Sequence, residues 1–253
     1  MVSRKKATVI HLLVSAVIAI ATGLAFRFIY FPDYYFDVLD GTHKFFLIIG
    51  VDVVLGPLLT FIIFNPKKPK KELTRDVSLI AVIQIAALAY GLYASSFARP
   101  VYTVFEGKTL TIITANELQP NMLKRAQAPY NALPIFGPKN VFSKKPTEKS
   151  LIEDITLGSG FGQGQPFWPE LYTPLTDEHK KQMWQAAEPV NALEPALTQE
   201  QLAWVQKSFG SDSGLKALPT SSQMAQNPYF WAIISPEGNI LAVLPVNPDN
   251  MDK

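Results

Sequence analysis

With 253 residues, no cysteine and a net charge of only +2, the chain excludes disulfides, thiolate catalysis and cysteine-based metal sites, and it carries no basic surplus for nucleic acid. Its apolar residues crowd ahead of Phe97, whereas residues 98–253 have the mixed composition of a water-soluble fold. That asymmetry divides the chain into a membrane region, 1–97, and one polar domain, 98–253.

The first apolar run, about 7–26, stands behind the basic head Arg4-Lys5-Lys6. A secretory signal peptide is the competing reading, with Ala19-Ile20-Ala21 as a small-x-small cleavage site. The run exceeds the roughly 7–15 residues of a signal core, and apolar and aromatic residues continue to Tyr35, so a retained span over about 7–29 is expected. Arg27 would snorkel to the outer interface, where Tyr30, Phe31, Tyr34 and Tyr35 would form an aromatic belt.

The second run, 45–64, matches the roughly 20 apolar residues that cross a bilayer, yet it contains Asp52 and the pair Gly56-Pro57. An acid in hydrocarbon costs at least about 2.5 kcal/mol, so Asp52 is expected to face a partner helix or a water-filled cavity. Pro57 removes a helix bond and is expected to kink the span, opening space near Asp52. Three roles for Asp52 stay open: bonding to Gln84, Thr60 or a backbone carbonyl, contact with a partner's transmembrane segment, and ion or proton conduction. The last is disfavoured, because a relay needs a series of acids.

A lysine-rich loop, 65–76, leads to a third span, 77–97, interrupted by Gln84 and supplied with Ala81, Ala86, Ala87, Ala89 and Gly91 for close helix approach. Both basic segments belong on the cytoplasmic side, while the loop between spans one and two carries Asp33, Asp37 and Asp40 against Lys44. The N-terminus is thus expected inside and the polar domain outside, in the periplasm of a Gram-negative cell.

In the polar domain, residues 101–106 and 109–114 around a Gly107-Lys108 turn predict a β-hairpin with one wet face. A short helix follows through Glu117, Leu118 and 122–126; residues 127–175 read as loop with short elements; and helices begin at Thr176 and Thr198. Residues 229–234 and 240–246 predict a second hairpin. The expected fold is therefore a three-helix transmembrane bundle followed by a periplasmic α+β domain with two β-hairpins, small and antiparallel.

Little of this reads as chemistry. The glycine-rich run 158–165 lacks the strand, helix and lysine of a phosphate loop, and Pro166 and Pro169 follow it. His11, His43 and His179 fall in separate regions and read as isolated histidines rather than a metal site. No hydrolase elbow or zinc-protease motif occurs, so neither an enzyme nor a cofactor nor a bound metal is expected.

Four segments resemble the type IV pilin accessory proteins of the TfpX/TfpZ type and the FimB fimbrial assembly proteins. They are Val51-Asp52-Val53-Val54-Leu55-Gly56-Pro57-Leu58-Leu59-Thr60, then Phe64 with the lysine loop to Asp76, then Ile83-Gln84-Ile85-Ala86-Ala87-Leu88-Ala89-Tyr90-Gly91, and finally Ala98-Arg99-Pro100-Val101-Tyr102. The resemblance covers about 45–106. It implies an inner-membrane accessory factor that acts without catalysis on the type IV major pilin, together with other pilus assembly components. It supplies no functional residues, so Asp52, Gly56, Pro57, Gln84, Arg99 and Pro100 are partner-binding candidates from the physical reading and motif position. Two other classes compete: a membrane-anchored periplasmic ligand sensor, which lacks a cytoplasmic output domain here, and a membrane enzyme modifying pilin, which would need a cluster of catalytic polar groups.

Overall fold

The computed structural model of the chain describes residues 3–193, 197–210 and 214–246, with Val51 described by its backbone only. The last stretch of the expected polar domain, 247–253, lies outside the described residues. The chain divides into two compact units, Met1–Phe97 and Ala98–Lys253.

In the first unit, helix α1 (Arg4–Ala25) continues into a π-helical turn, Phe26–Tyr30. Short α2 (Tyr35–Val38) leads to α3 (Gly41–Gly50), a π-helical segment Val51–Leu55, and α4 (Gly56–Ile63). Helix α5 spans Lys70–Ala98. Three continuous helical stretches, Arg4–Tyr30, Gly41–Ile63 and Lys70–Ala98, are long and apolar enough to cross a membrane.

Two sequence expectations change here. Only 64–69 separates the second and third stretches, because the Lys70–Asp76 segment is rich in helix formers and extends α5 rather than the loop. The aromatic belt turns inward in part: Phe31 and Tyr35 are 0% and 4% exposed. The Phe31 ring packs 4.7 Å from Phe26, and Tyr35 lies 4.4 Å from Tyr34, so these rings form a small core at the end of the helices. The basic head also has a local task, since Arg4 Nε donates to the Phe64 carbonyl at 2.9 Å, a cation on the carbonyl end of α4.

The second unit is built on one eight-stranded sheet. Strands β1 (Pro100–Phe105) and β2 (Leu110–Thr114) pair antiparallel at its centre. A 3₁₀ turn and α6 (Pro120–Arg125) lead to β3 (Lys139–Ser143), which runs parallel to β1. Helix α7 (Lys149–Ser159), β4 (Tyr172–Pro174), α8 (Asp177–Ala186), β5 (Glu188–Pro189) and α9 (Gln199–Phe209) follow. Strands β6 (Lys216–Ser221), β7 (Tyr229–Ile234) and β8 (Ile240–Pro245) complete the sheet, in the order β4-β3-β1-β2-β6-β7-β8 with β5 added to β6.

The sheet is mixed, not antiparallel, because β3 joins β1 and β6 joins β2 in parallel. Nor does the central pair keep a wet face: every residue of β1 and β2 is buried. On one side Tyr102, Val104 and Val141 pack with Leu151 and Ile155 of α7. On the other, Phe105 and Phe142 are register partners, and His179 of α8 stacks on Phe142 at 3.9 Å. Alternating threonines imitate an amphipathic strand, yet Thr103, Thr111 and Thr114 are all buried.

Candidate functional site

The chemistry-bearing feature of the first unit is a chain of polar groups joining all three long helices. Gln84 Nε2 of α5 donates to the backbone carbonyl of Asp52 at 3.2 Å. Its Oε1 therefore faces His11 of α1, at 2.8 Å from Nε2, and accepts the proton carried there. In the neutral ring that leaves His11 Nδ1 as an acceptor for the Thr60 hydroxyl of α4, which lies 2.5 Å away. A neutral histidine with its proton on Nε2 thus satisfies every bond of the chain.

The local sequence explains why this carbonyl needs a side-chain donor. In a π register the carbonyl of residue 52 would meet the N–H of residue 57, and residue 57 is a proline. Pro57 thereby both ends the π segment and frees the acceptor that Gln84 takes. A π-helical segment, Val51–Leu55, with Asp52 inside it, directly precedes Gly56-Pro57. Gly56 gives Gln84 its room, because a Cβ there would lie 2.1 Å from Gln84 Nε2 and 2.9 Å from His11 Nε2. Gly91 works similarly for the helix pair, since a Cβ would come within 3.0 Å of Ile48.

The Asp52 side chain is unfinished. It is 6% exposed, and its Oδ1 meets no donor among the described residues. Beside the cluster a groove of about 700 Å³ opens between the helices, floored by His11 and Thr60, walled by Ile10, Val14, Leu73, Val77 and Ala81, and rimmed by Lys68 and Lys70. Lys68 is held by Asp76 at 2.6 Å. Only 6% of the most apolar stretch of α5 is buried, so most of its apolar surface is unpartnered by the described residues.

Of the six candidates from sequence, Asp52, Gly56, Pro57 and Gln84 come together in this cluster. Arg99 and Pro100 belong to the second unit, where Arg99 Nη2 donates to the Pro134 carbonyl at 3.0 Å and Pro100 opens β1. Reading His11 as an isolated histidine is corrected: it is the junction of the polar chain. The other two histidines stand apart, His43 beside Asp40 at 3.5 Å and His179 in the capping box of α8. The glycine run closes the C-terminal end of α7, with Gln163 N bonded to the Gly158 carbonyl at 2.8 Å. A helix C-terminus repels anions, so the run is no phosphate cradle.

Comparison with known proteins agrees on one family. The chain is 43% identical over 118 residues to the fimbrial assembly protein of serogroups C1 and C2 of Dichelobacter nodosus, covering 46% of this chain and 89% of that protein. It is 42% identical over 128 residues to the serogroup E1 protein and 41% identical over 129 residues to the serogroup I protein of the same organism. Each of those two matches covers 51% of this chain, and the chain spans only about half the length of each relative, 50%. No protein-family description matches the chain, and no solved structure does. The chain combines a largely apolar three-helix unit with a mixed α/β sheet domain. The chain belongs to the fimbrial assembly proteins.

Proposed function

We propose that this protein is a non-catalytic accessory factor of the TfpX/TfpZ or FimB type that acts on the type IV major pilin in the bacterial inner membrane. In this reading its N-terminus is cytoplasmic and the sheet domain is periplasmic, as the basic residues of the head and the 65–76 segment favour. A pilin subunit waits in the membrane as an apolar helix with a globular head outside. The groove beside His11 and Thr60 receives that helix, and the sheet domain meets the head.

The observation that carries the proposal is the unfinished carboxyl of Asp52 beside an unpartnered helix face. Burying a polar oxygen without a donor costs on the order of 1–3 kcal/mol, a cost that a donor on a docked helix would remove. Small residues on α5 suit the same contact, because helix association in lipid depends on close packing and interhelical hydrogen bonds.

Deleting the gene tests the function. Surface piliation and twitching should fall while growth holds, and complementation should work best in strains carrying the matching pilin. Pili of normal number, length and dynamics in the deletion strain would exclude the proposal.

A further inference from the structure

We propose that the 133–138 loop of the sheet domain inserts its tip, Ile135 and Phe136, into the lipid bilayer beside the end of α5. The inference rests on the reading of α5 as a membrane span. Ile135 and Phe136 are adjacent, apolar, and 77% and 71% exposed. The tip turns at Gly137, whose φ is +53°, and no acid or base occurs between Leu133 and Pro138.

The stalk beneath the tip is fixed. Leu133 packs on the core beside Tyr102, and the Tyr102 hydroxyl donates to the Ala132 carbonyl at 3.4 Å. Arg99 donates to the Pro134 carbonyl at 3.0 Å. Arg99 directly follows Ala98, the last residue of α5, so the loop is bonded to the residue at which the chain leaves the helix. The headgroup zone is roughly 5–8 Å deep on each side of the hydrocarbon. The bond to Arg99 thus ties the tip to the residue that follows the span.

The surroundings favour lipid over a protein partner. Two exposed apolar side chains match the depth of an interfacial anchor, and exposed Lys139, next after Pro138, suits lipid phosphates. The guanidinium of Arg99, bonded to the Pro134 carbonyl, adds a second cation beside the tip, of the kind suited to a membrane surface. The consequence is functional: a second anchor would restrict how the sheet domain swings about the end of α5.

The absence of cysteine makes the test direct. Single-cysteine variants Ile135→Cys, Phe136→Cys, Phe161→Cys and Ile85→Cys of the full chain are labelled with an environment-sensitive fluorophore in phosphatidylethanolamine/phosphatidylglycerol nanodiscs. Phe161 is 81% exposed in the sheet domain and controls for attraction of the dye to lipid, and Ile85 of α5 is 67% exposed and reports the span itself. The probes at 135 and 136 should emit to the blue of the Phe161 probe and be quenched by nitroxide placed high on the acyl chains. The Ile85 probe should respond to deep nitroxide. Quenching at 136 no stronger than at 161, with Ile85 quenched as expected, would overturn the inference alone. Absence of quenching at Ile85 would overturn the reading of α5 as a span, and the loop anchor with it.

Discussion

Gly56 and Gln84 make the polar cluster a matter of atoms rather than of general polarity. Gly56→Ala should force Gln84 off the Asp52 carbonyl, and overpacking of this kind costs about 1–3 kcal/mol. Gly56→Ala combined with Gln84→Ala should be less destabilised than the two changes summed, because the second removes the clash created by the first. Resistance of the detergent-solubilised chain to SDS, followed by helical circular dichroism, checks this; strict additivity would mean that the two residues do not meet. Asp52 separates folding from recognition. Asp52→Leu removes the carboxyl whose Oδ1 meets no donor among the described residues, so it should accumulate in the membrane as the natural chain does, yet lose pilin contact. Asp52→Asn keeps the size and should also lose contact if the charge is what the partner meets. Failure of Asp52→Leu to accumulate, read by immunoblot of membranes, would make the residue structural. Asp52, Gly56, Pro57 and Gln84 were legible because each is an anomaly in an apolar run. His11 was not, since it lies close behind a basic head and its partners are 49 and 73 residues away.

Elements whose ends are set locally were the easiest to read. Thr198 and Gln201 form a capping box on α9, with the Thr198 hydroxyl accepting from Gln201 N at 3.2 Å, and Thr176 starts α8 in the same way. Thr198→Ala should therefore lower the stability of the sheet domain by about 1 kcal/mol. The four tryptophans, Trp168, Trp184, Trp204 and Trp231, all lie in that domain, so their fluorescence follows its unfolding in the intact protein. The same signal tests a pH effect. Burial raises the Glu117 carboxyl above its usual range, against the lowering effect of bonds from the Thr114 N–H and hydroxyl, and burial also raises Glu106. A carboxyl raised by folding holds its proton more tightly in the folded state, so stability falls as pH rises from the unfolded value through the folded one. Melting of the domain should thus move upward on mild acidification from neutrality, and Glu117→Gln should reduce that rise. A rise equally large in Glu117→Gln would assign the effect elsewhere. Less legible were the strands whose partners come from far along the chain. The parallel neighbours β3 and β6 arrive from distant segments and take the two outer edges of the β1–β2 pair, whose residues are all buried although the threonine pattern presents one face as wet.

At the scale of the whole molecule, charge asymmetry and unused helix surface bear on function together. A periplasm-specific reporter fused after Lys253 should be active and one inserted near Pro69 silent, because both basic segments lie on the same side of the helices; the reverse pattern would refute the orientation. The division at residues 97 and 98 follows from hydropathy, whereas the groove does not, since it depends on how loosely α5 packs. Photo-crosslinking from that groove in living piliated cells tests the central claim most directly. A crosslinking side chain at Val14 or Val77, both lining the groove, should capture the apolar helix of the major pilin, and the capture should disappear when Asp52→Leu is added. Normal membrane levels of the protein with no pilin captured from either position, or capture undiminished by Asp52→Leu, would contradict it.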